Sequence, residues 1–342
     1  MVDKDSQIVI AGAGSIGCYA GGCLALAGRK VRFLCRPNIE AKLRAGGLRV
    51  SDLDGRNRLL DAGVVHGTTD PAEALTDANV VLVTVKSGAT EEMAELIAAH
   101  ARSDAVVVSL QNGVDNVGRL TAQLGSRWVL AGMVAFNVVQ KNNGKPVHVH
   151  RATEGAALIE NVVPGLAELL DVDGFAVRTH ADMRAVLWGK LLFNLNNALV
   201  ALSGLPLATE LADRRWRLIL ARQIDEALAV LKAASIKPGR IGGLRPALLP
   251  KILRLPDWLF RLVARRMLMV DPEARASMWD DLERGRPTEI DEFQGKIMQL
   301  AQETGTPAPL TARIMALVET AEAAEAGSPQ LSPEQVLDGI GR

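Results

Sequence analysis

The chain has 342 residues, 48% hydrophobic and 23% charged, with 39 Lys and Arg against 39 Asp and Glu. That length is too great for a comfortable single core and suits two domains. The balanced charge excludes a global electrostatic case for nucleic acid and fits a soluble globular protein.

At the N-terminus, Asp3, Lys4 and Asp5 lead at once into the strand-like run IVIAG, which is no signal peptide. No apolar run approaches the length of a membrane span, so a cytoplasmic protein without a membrane span is expected. Cys18, Cys23 and Cys35 cluster without metal-type spacing, which favours buried reduced thiols over a disulfide framework or zinc site.

From Ile8 to about Thr179, short β-branched runs alternate with Ala-rich, helix-like stretches. IVIAG, VRFLC, VVLVTV, AVVVSL and WVLAGMV each predict a strand buried on both faces, the pattern of a doubly wound α/β sheet. His148 and His150 in VHVH share one face at strand alternation. Without a carboxylate or thiolate partner they make a weak metal case, so a surface strand is preferred and no metal is expected.

After Asp182 the periodicity turns helical, in RAVLWGKLLFNL, RLILARQIDEALAVLKAA and EIDEFQGKIMQLAQET. A mostly α-helical second domain is therefore expected over 181–342, following an α/β domain over 1–180. Lys237 to Pro272 is Pro-interrupted and carries seven Arg or Lys between Arg240 and Arg266, with the amphipathic piece WLFRLVARRML. It predicts a helical excursion packed on the second domain, against the alternative of a membrane-surface or partner helix. The tail from about Ala326 reads as a loop and a frayed terminal helix.

The first run opens into Gly12-Ala13-Gly14-Ser15-Ile16-Gly17, a G-x-G-x-x-G between strand and helix, which is the context that makes the motif a dinucleotide site. In a Rossmann-type domain Gly12 makes the tight turn, Gly14 lets the backbone reach the pyrophosphate at the helix N-terminus, and Gly17 lets helix and strand pack closely. A glycine-rich turn without ligand is the alternative. Arg36 follows the second strand where an NAD site would place an acid on the ribose. It suits the extra phosphate of NADP, with Lys42 or Arg44 as helpers, unless it is a solvated surface residue. Lys86 and Asn112 follow two further strands, where a doubly wound sheet binds its ligand, although each alone could be a loop cap or turn residue.

The stretch LWGKLLFNLNN sets Lys190, Asn194 and Asn197 on one helical face, with Asn196 pointing elsewhere. Such a polar stripe binds a polar substrate if it faces a cleft, and needs internal partners if it faces core. Downstream, RASMWDDLERGRPTEIDEFQGK completes a resemblance to the ketopantoate reductase (2-dehydropantoate 2-reductase) family. It rests on the G-x-G-x-x-G with Arg36, the lysine of LVTVK, the Asn-Gly of QNG, the W-x-K-x-x-x-N helix, and the Ser-Met and Thr-Glu-Ile-Asp elements.

The resemblance implies NADPH as cofactor, with Gly12, Gly14, Ser15, Ile16, Gly17, Arg36, Lys86 and Asn112 binding it. Lys190 and Glu289 would be catalytic, and Asn112, Asn194, Asn197 and Ser277 would hold a small 2-oxo acid, 2-dehydropantoate, reduced to pantoate for coenzyme A synthesis in a cleft between the domains. The physics agrees, because hydride reduction of a ketone leaves an alkoxide that needs a proton and a nearby positive charge. The chain departs from the family at Ala198, where many members carry a second asparagine; Asn197 stands one residue early. A homodimer is compatible with the resemblance. The rivals are a reductase of another small 2-oxo acid and a non-catalytic NADPH sensor.

Overall fold

The structure is a computed structural model describing residues 2–141, 144–240, 243–264 and 275–340. The chain divides into two compact units, Met1–Met183 and Arg184–Arg342.

The first unit contains strands β1 (Ile8–Ala11), β2 (Val31–Leu34), β3 (Leu48–Asp52), β4 (Asn57–Leu60), β5 (His66–Thr68), β6 (Val80–Val83), β7 (Val106–Ser109), β8 (Val129–Val134), β9 (Val138–Lys141), β10 (Val147–Arg151), β11 (Ala157–Glu160) and β12 (Val177–His180). Its helices are α1 (Ser15–Leu26), α2 (Pro37–Gly46), α3 (Pro71–Leu75), α4 (Thr90–His100), α5 (Asn116–Leu124) and α6 (Leu166–Leu170). The main sheet runs β12-β11-β8-β7-β6-β1-β2-β5, parallel except where β11 meets β8. This is the expected Rossmann-type sheet. Its central strands are apolar along their length because both faces are covered: Ile8 and Ile10 of β1 enter one core, while Val9 and Ala11 enter the other. Each fully buried Val or Ile contributes about 1.5–3 kcal/mol.

A second sheet, β4-β3-β10-β9, differs from the sequence expectation. β10, which carries His148 and His150, is an inner strand of this sheet, and both histidines are only partly buried. Both imidazoles lie 2.8 Å from the Ser51 hydroxyl on β3. Helix α1 packs between the sheets through two adjacent glycines. A Cβ at Gly21 would stand 2.5 Å from Phe33 on β2, and one at Gly22 would stand 2.5 Å from Val50 on β3.

The second unit is helical: α7 (Met183–Asn194), α8 (Asn196–Ser203), α9 (Leu207–Ala212), α10 (Arg214–Ala233), α11 (Leu249–Leu253), α12 (Asp257–Val263), α13 (Ser277–Glu283), α14 (Lys296–Thr304), α15 (Pro309–Ala324) and α16 (Pro333–Leu337). Asp213 caps α10 by accepting from the Arg215 N–H at 2.8 Å. The apolar stripe of α10, including Trp216, Ile219, Leu220, Ile224 and Leu231, is buried. Arg217 on the same helix is buried without being wasted. It donates to the carbonyls of Leu211, Ala212, Leu253 and Leu255 and to the Asp257 carboxylate, and its guanidinium lies 4.3 Å from the Phe260 ring centroid.

Through Arg217, Leu253 and Phe260 the basic stretch packs on the second unit, while Trp258 and Leu262 stand exposed; its Arg265–Pro272 portion lies outside the described residues. The terminal helix α16 is held by a reciprocal capping box between Ser332 and Gln335. The stretch Met183–Ser203, which runs through α7 and α8, has by length and composition the apolarity of a membrane helix, but 67% of its apolar window is buried within the protein, as in a core helix.

Candidate active site

In the first unit, the residues singled out from the sequence collect at one edge of the main sheet. Gly12, Arg36, Lys86 and Asn112 follow the carboxyl ends of β1, β2, β6 and β7, which are neighbouring parallel strands. Arg36 and Lys86 are exposed there, whereas Arg44, one of the candidate helpers, pairs with Glu40 at 2.5 Å.

Each glycine of the motif has its own steric reason. Gly12 has φ +106°, a conformation that side chains rarely adopt, and a Cβ there would stand 2.7 Å from Val85. At Gly17 a Cβ would stand 2.2 Å from the Gly12 carbonyl oxygen and 2.5 Å from Thr84 Oγ1, so helix and turn can touch only without a side chain. Gly14 precedes α1, and a Cβ there would meet nothing within 4 Å. The turn is thus tight on the protein side and open beside the helix N-terminus, which is the shape a pyrophosphate needs.

The loops after β6 and β7 are locked together by buried side chains that the motif reading missed. Ser109 Oγ donates to Gln111 Oε1, Gln111 Nε2 to Thr90 Oγ1, and Thr90 Oγ1 to Asn116 Oδ1. Asn116 Nδ2 then reaches Ser87 Oγ at 3.0 Å and the Asn112 carbonyl at 2.5 Å, and Ser87 Oγ donates to that same carbonyl. The available signal was a cluster of small polar residues flanking two apolar strands, which in sequence reads only as loop.

In the second unit, Lys190 and Asn194 lie on α7, Asn197 on α8, and Ser277 opens α13, which packs against α8. Ser277 is exposed, and Lys190, Asn194 and Asn197 are partly buried. Thr288 accepts from the Ile290 N–H at 3.2 Å, and its own N–H donates to Glu322 on α15. This fixes Glu289 just ahead of a five-residue π turn, Asp291–Gly295, a distortion frequent at functional sites. Burial pushes the Lys190 ammonium down from 10.5 to about 8, and the charge of Glu289 pulls it back up, so the two residues lie within electrostatic reach.

Two further residues were not legible as site residues. The helix is interrupted at Leu195, between α7 and α8, and Gln294 in the π turn donates to the Leu195 carbonyl at 3.0 Å. Asn196, the first residue of α8, is buried and donates to Glu210 Oε2 at 3.0 Å. Neither bond has a sequence signature, because one acceptor is a backbone carbonyl and the other a glutamate in a short helix. Among the described residues no group of three or more His, Cys, Asp or Glu could hold a metal ion.

Residues 8–163 match the family model of ketopantoate reductase PanE/ApbA, and residues 182–322 match that of its C-terminal domain. A solved PanE/ApbA family ketopantoate reductase from Ralstonia eutropha JMP134 is 30% identical, with TM-score 0.78, covering 93% of this chain and 99% of that one. The 2-dehydropantoate 2-reductase of Archaeoglobus fulgidus is 28% identical over 322 residues, 92% of this chain and 98% of that protein. D-mandelate dehydrogenase, solved with NADH and anilino(oxo)acetate, shares the fold at 19% identity and TM-score 0.75. The two matches together span most of both units, and the family they describe is one of pyridine-nucleotide-dependent oxidoreductases. Within that class, the chain is a member of the ketopantoate reductase family.

Proposed function

We propose that the protein reduces 2-dehydropantoate to pantoate with NADPH, the step that feeds pantothenate and coenzyme A synthesis. The observation that carries this reading is the match of both units to the ketopantoate reductase family, and it is supported by Lys190 on α7, whose pKa burial lowers to about 8 against the attraction of Glu289. At neutral pH such a lysine is still mostly charged, yet it gives up its proton more readily than an exposed one. The bound dinucleotide would supply hydride to the 2-oxo carbon. Lys190 donates the proton that the developing alkoxide requires, and its charge stabilises that oxygen beforehand. Glu289 keeps the lysine charged and accepts from a substrate hydroxyl, while Asn194, Asn197 and Ser277 hold the carboxylate and hydroxyl.

On the nucleotide side, Gly12, Gly14, Ser15, Ile16 and Gly17 cradle the pyrophosphate, Arg36 takes the 2′-phosphate of NADPH, Lys86 the ribose hydroxyls, and Asn112 the nicotinamide end. The open side of Gly14 and the tight packing of Gly17 support this fit. Steady-state kinetics over a panel of 2-oxo acids with NADPH and NADH tests the reading. The expected result is highest kcat/KM for 2-dehydropantoate with NADPH and a loss of kcat on the order of 10²–10⁴ in Lys190→Ala. Ala198, where many family members have asparagine, favours a second reading as reductase of another small 2-oxo acid. A clear preference for such an acid in the panel would establish it.

A further inference from the structure

Buried in the second unit is a carboxyl group for which the chemistry above has no use. Glu210 on α9 is fully buried and Asn196 on α8 nearly so. Asn196 Nδ2 donates to Glu210 Oε2 at 3.0 Å, yet the other two oxygens of the pair, Asn196 Oδ1 and Glu210 Oε1, have no hydrogen-bond partner. Both are acceptors if the carboxyl is ionised, and two buried acceptors cannot satisfy each other. A single proton resolves the conflict.

The geometry points to Glu210 as a neutral carboxylic acid whose Oε1–H donates to Asn196 Oδ1, closing a reciprocal acid–amide pair that positions the interruption between α7 and α8. In this role Glu210 is a positioning residue: Asn196 is the first residue after Leu195, and the stretch just before the interruption carries Lys190 and Asn194. The interruption is then fastened on both sides, by Gln294 at the Leu195 carbonyl and by Glu210 at Asn196.

The surroundings agree. Burial, opposed by the Asn196 bond and reinforced by the charge of Asp213, raises the Glu210 carboxyl from 4.5 to about 8. α8 carries no titratable residue, and Glu210 is the only one on α9. On α10, Arg214 donates to the Arg254 carbonyl, Arg215 is engaged with Asp213 and Glu334, and Arg217 with four backbone carbonyls and Asp257, so none of these three guanidiniums is directed at the carboxyl.

The positioning role rests on the proposed function, whereas the protonation state does not, and the experiment separates them. Full-length wild type, Glu210→Gln and Glu210→Ala are compared. The glutamine supplies the same donor and acceptor without a titrating proton. At pH 7 the infrared difference spectrum of wild type minus Glu210→Gln should contain the C=O stretch of a protonated carboxyl. A raised folded-state pKa makes wild-type stability fall as pH rises from about 4.5 to about 8, so the melting temperature of Glu210→Gln should gain on wild type across that window and run parallel above it.

Glu210→Ala should lower kcat for the 2-oxo acid by on the order of 10- to 100-fold with little change in KM, and Glu210→Gln should restore most of it. Absence of the protonated-carboxyl band, or a melting difference independent of pH, overturns the neutral acid. A glutamine variant as slow as the alanine variant overturns the positioning role. If wild type reduces no 2-oxo acid, the proposed function fails while the infrared and melting comparisons still decide the state of Glu210.

Discussion

Gln294 Nε2 donates to the carbonyl oxygen of Leu195 across 3.0 Å and 99 residues of chain. Gln294 lies five positions after Glu289 and Leu195 five after Lys190, so one buried hydrogen bond fixes the spacing of the two elements that carry the proposed acid and its partner. Nothing else about either residue is chemical: leucine supplies only its backbone, and glutamine cannot titrate.

Replacement of Gln294 by leucine therefore removes the tie while keeping the bulk. The loss of one buried bond should cost about 1–3 kcal/mol of stability, measured by denaturant unfolding. Loosened spacing should lower kcat on the order of 10²-fold, with KM for the nucleotide unchanged. A variant with wild-type kcat would separate Gln294 from the catalytic geometry.

The pH profile follows from Lys190. Its pKa is lowered to about 8, so the protonated acid disappears above that pH and kcat/KM for reduction should fall about ten-fold per pH unit on the alkaline side. Glu289 raises that pKa by attraction. Its replacement by glutamine should move the alkaline limb to lower pH, in addition to any loss of rate. Stability moves the other way: between about pH 8 and 10.5 the unfolded lysine holds a proton that the folded one has lost, so folding strengthens with rising pH in that window, and Lys190→Met should abolish the rise.

Gly17→Ala places a methyl group 2.2 Å from the Gly12 carbonyl oxygen. The turn must open, at a cost of about 1–3 kcal/mol as in other overpacked sites. Nucleotide affinity, measured by titration calorimetry with NADPH, should fall with it. Equal affinity in both proteins would show that the turn does not grip the pyrophosphate.

Arg36→Ala tests the cofactor preference. An exposed guanidinium that contacts only the 2′-phosphate should affect NADPH alone: KM for NADPH rises by about ten-fold or more, in keeping with a charged hydrogen bond, while KM for NADH stays put. Parallel changes for both nucleotides would remove Arg36 from the discrimination.

The parts of this molecule visible in the sequence are those where one local rule suffices. The central strands β1, β6, β7 and β8 could be read because burial on both faces makes them almost continuously apolar, and β2 because Arg32 is the one charged residue in an otherwise apolar run. The strands β4 (NRLL) and β12 (VRTH) are short and largely exposed, and no run of hydrophobicity marks them. β12 and the joining of β3 to β10 in the second sheet depend on strands distant in sequence, which a single sequence does not display, while β4 is a hairpin partner of β3 that its exposed residues do not announce. The same division holds at the site. Gly12, Lys86, Lys190 and Glu289 stand in recognisable motifs, whereas Asn116, Gln294 and Glu210 act through backbone carbonyls or through each other, and their partners are found only once the chain is folded.

The network joining Gln111, Thr90, Asn116 and Ser87 also has an entropic consequence. Loops held by interlocking buried bonds have surrendered most of their conformational freedom during folding, so a nucleotide arriving at them need not order them again. Binding at this edge of the sheet should accordingly show little loss of chain entropy, and the affinity that remains after the nucleotide's own translational loss belongs to its direct contacts.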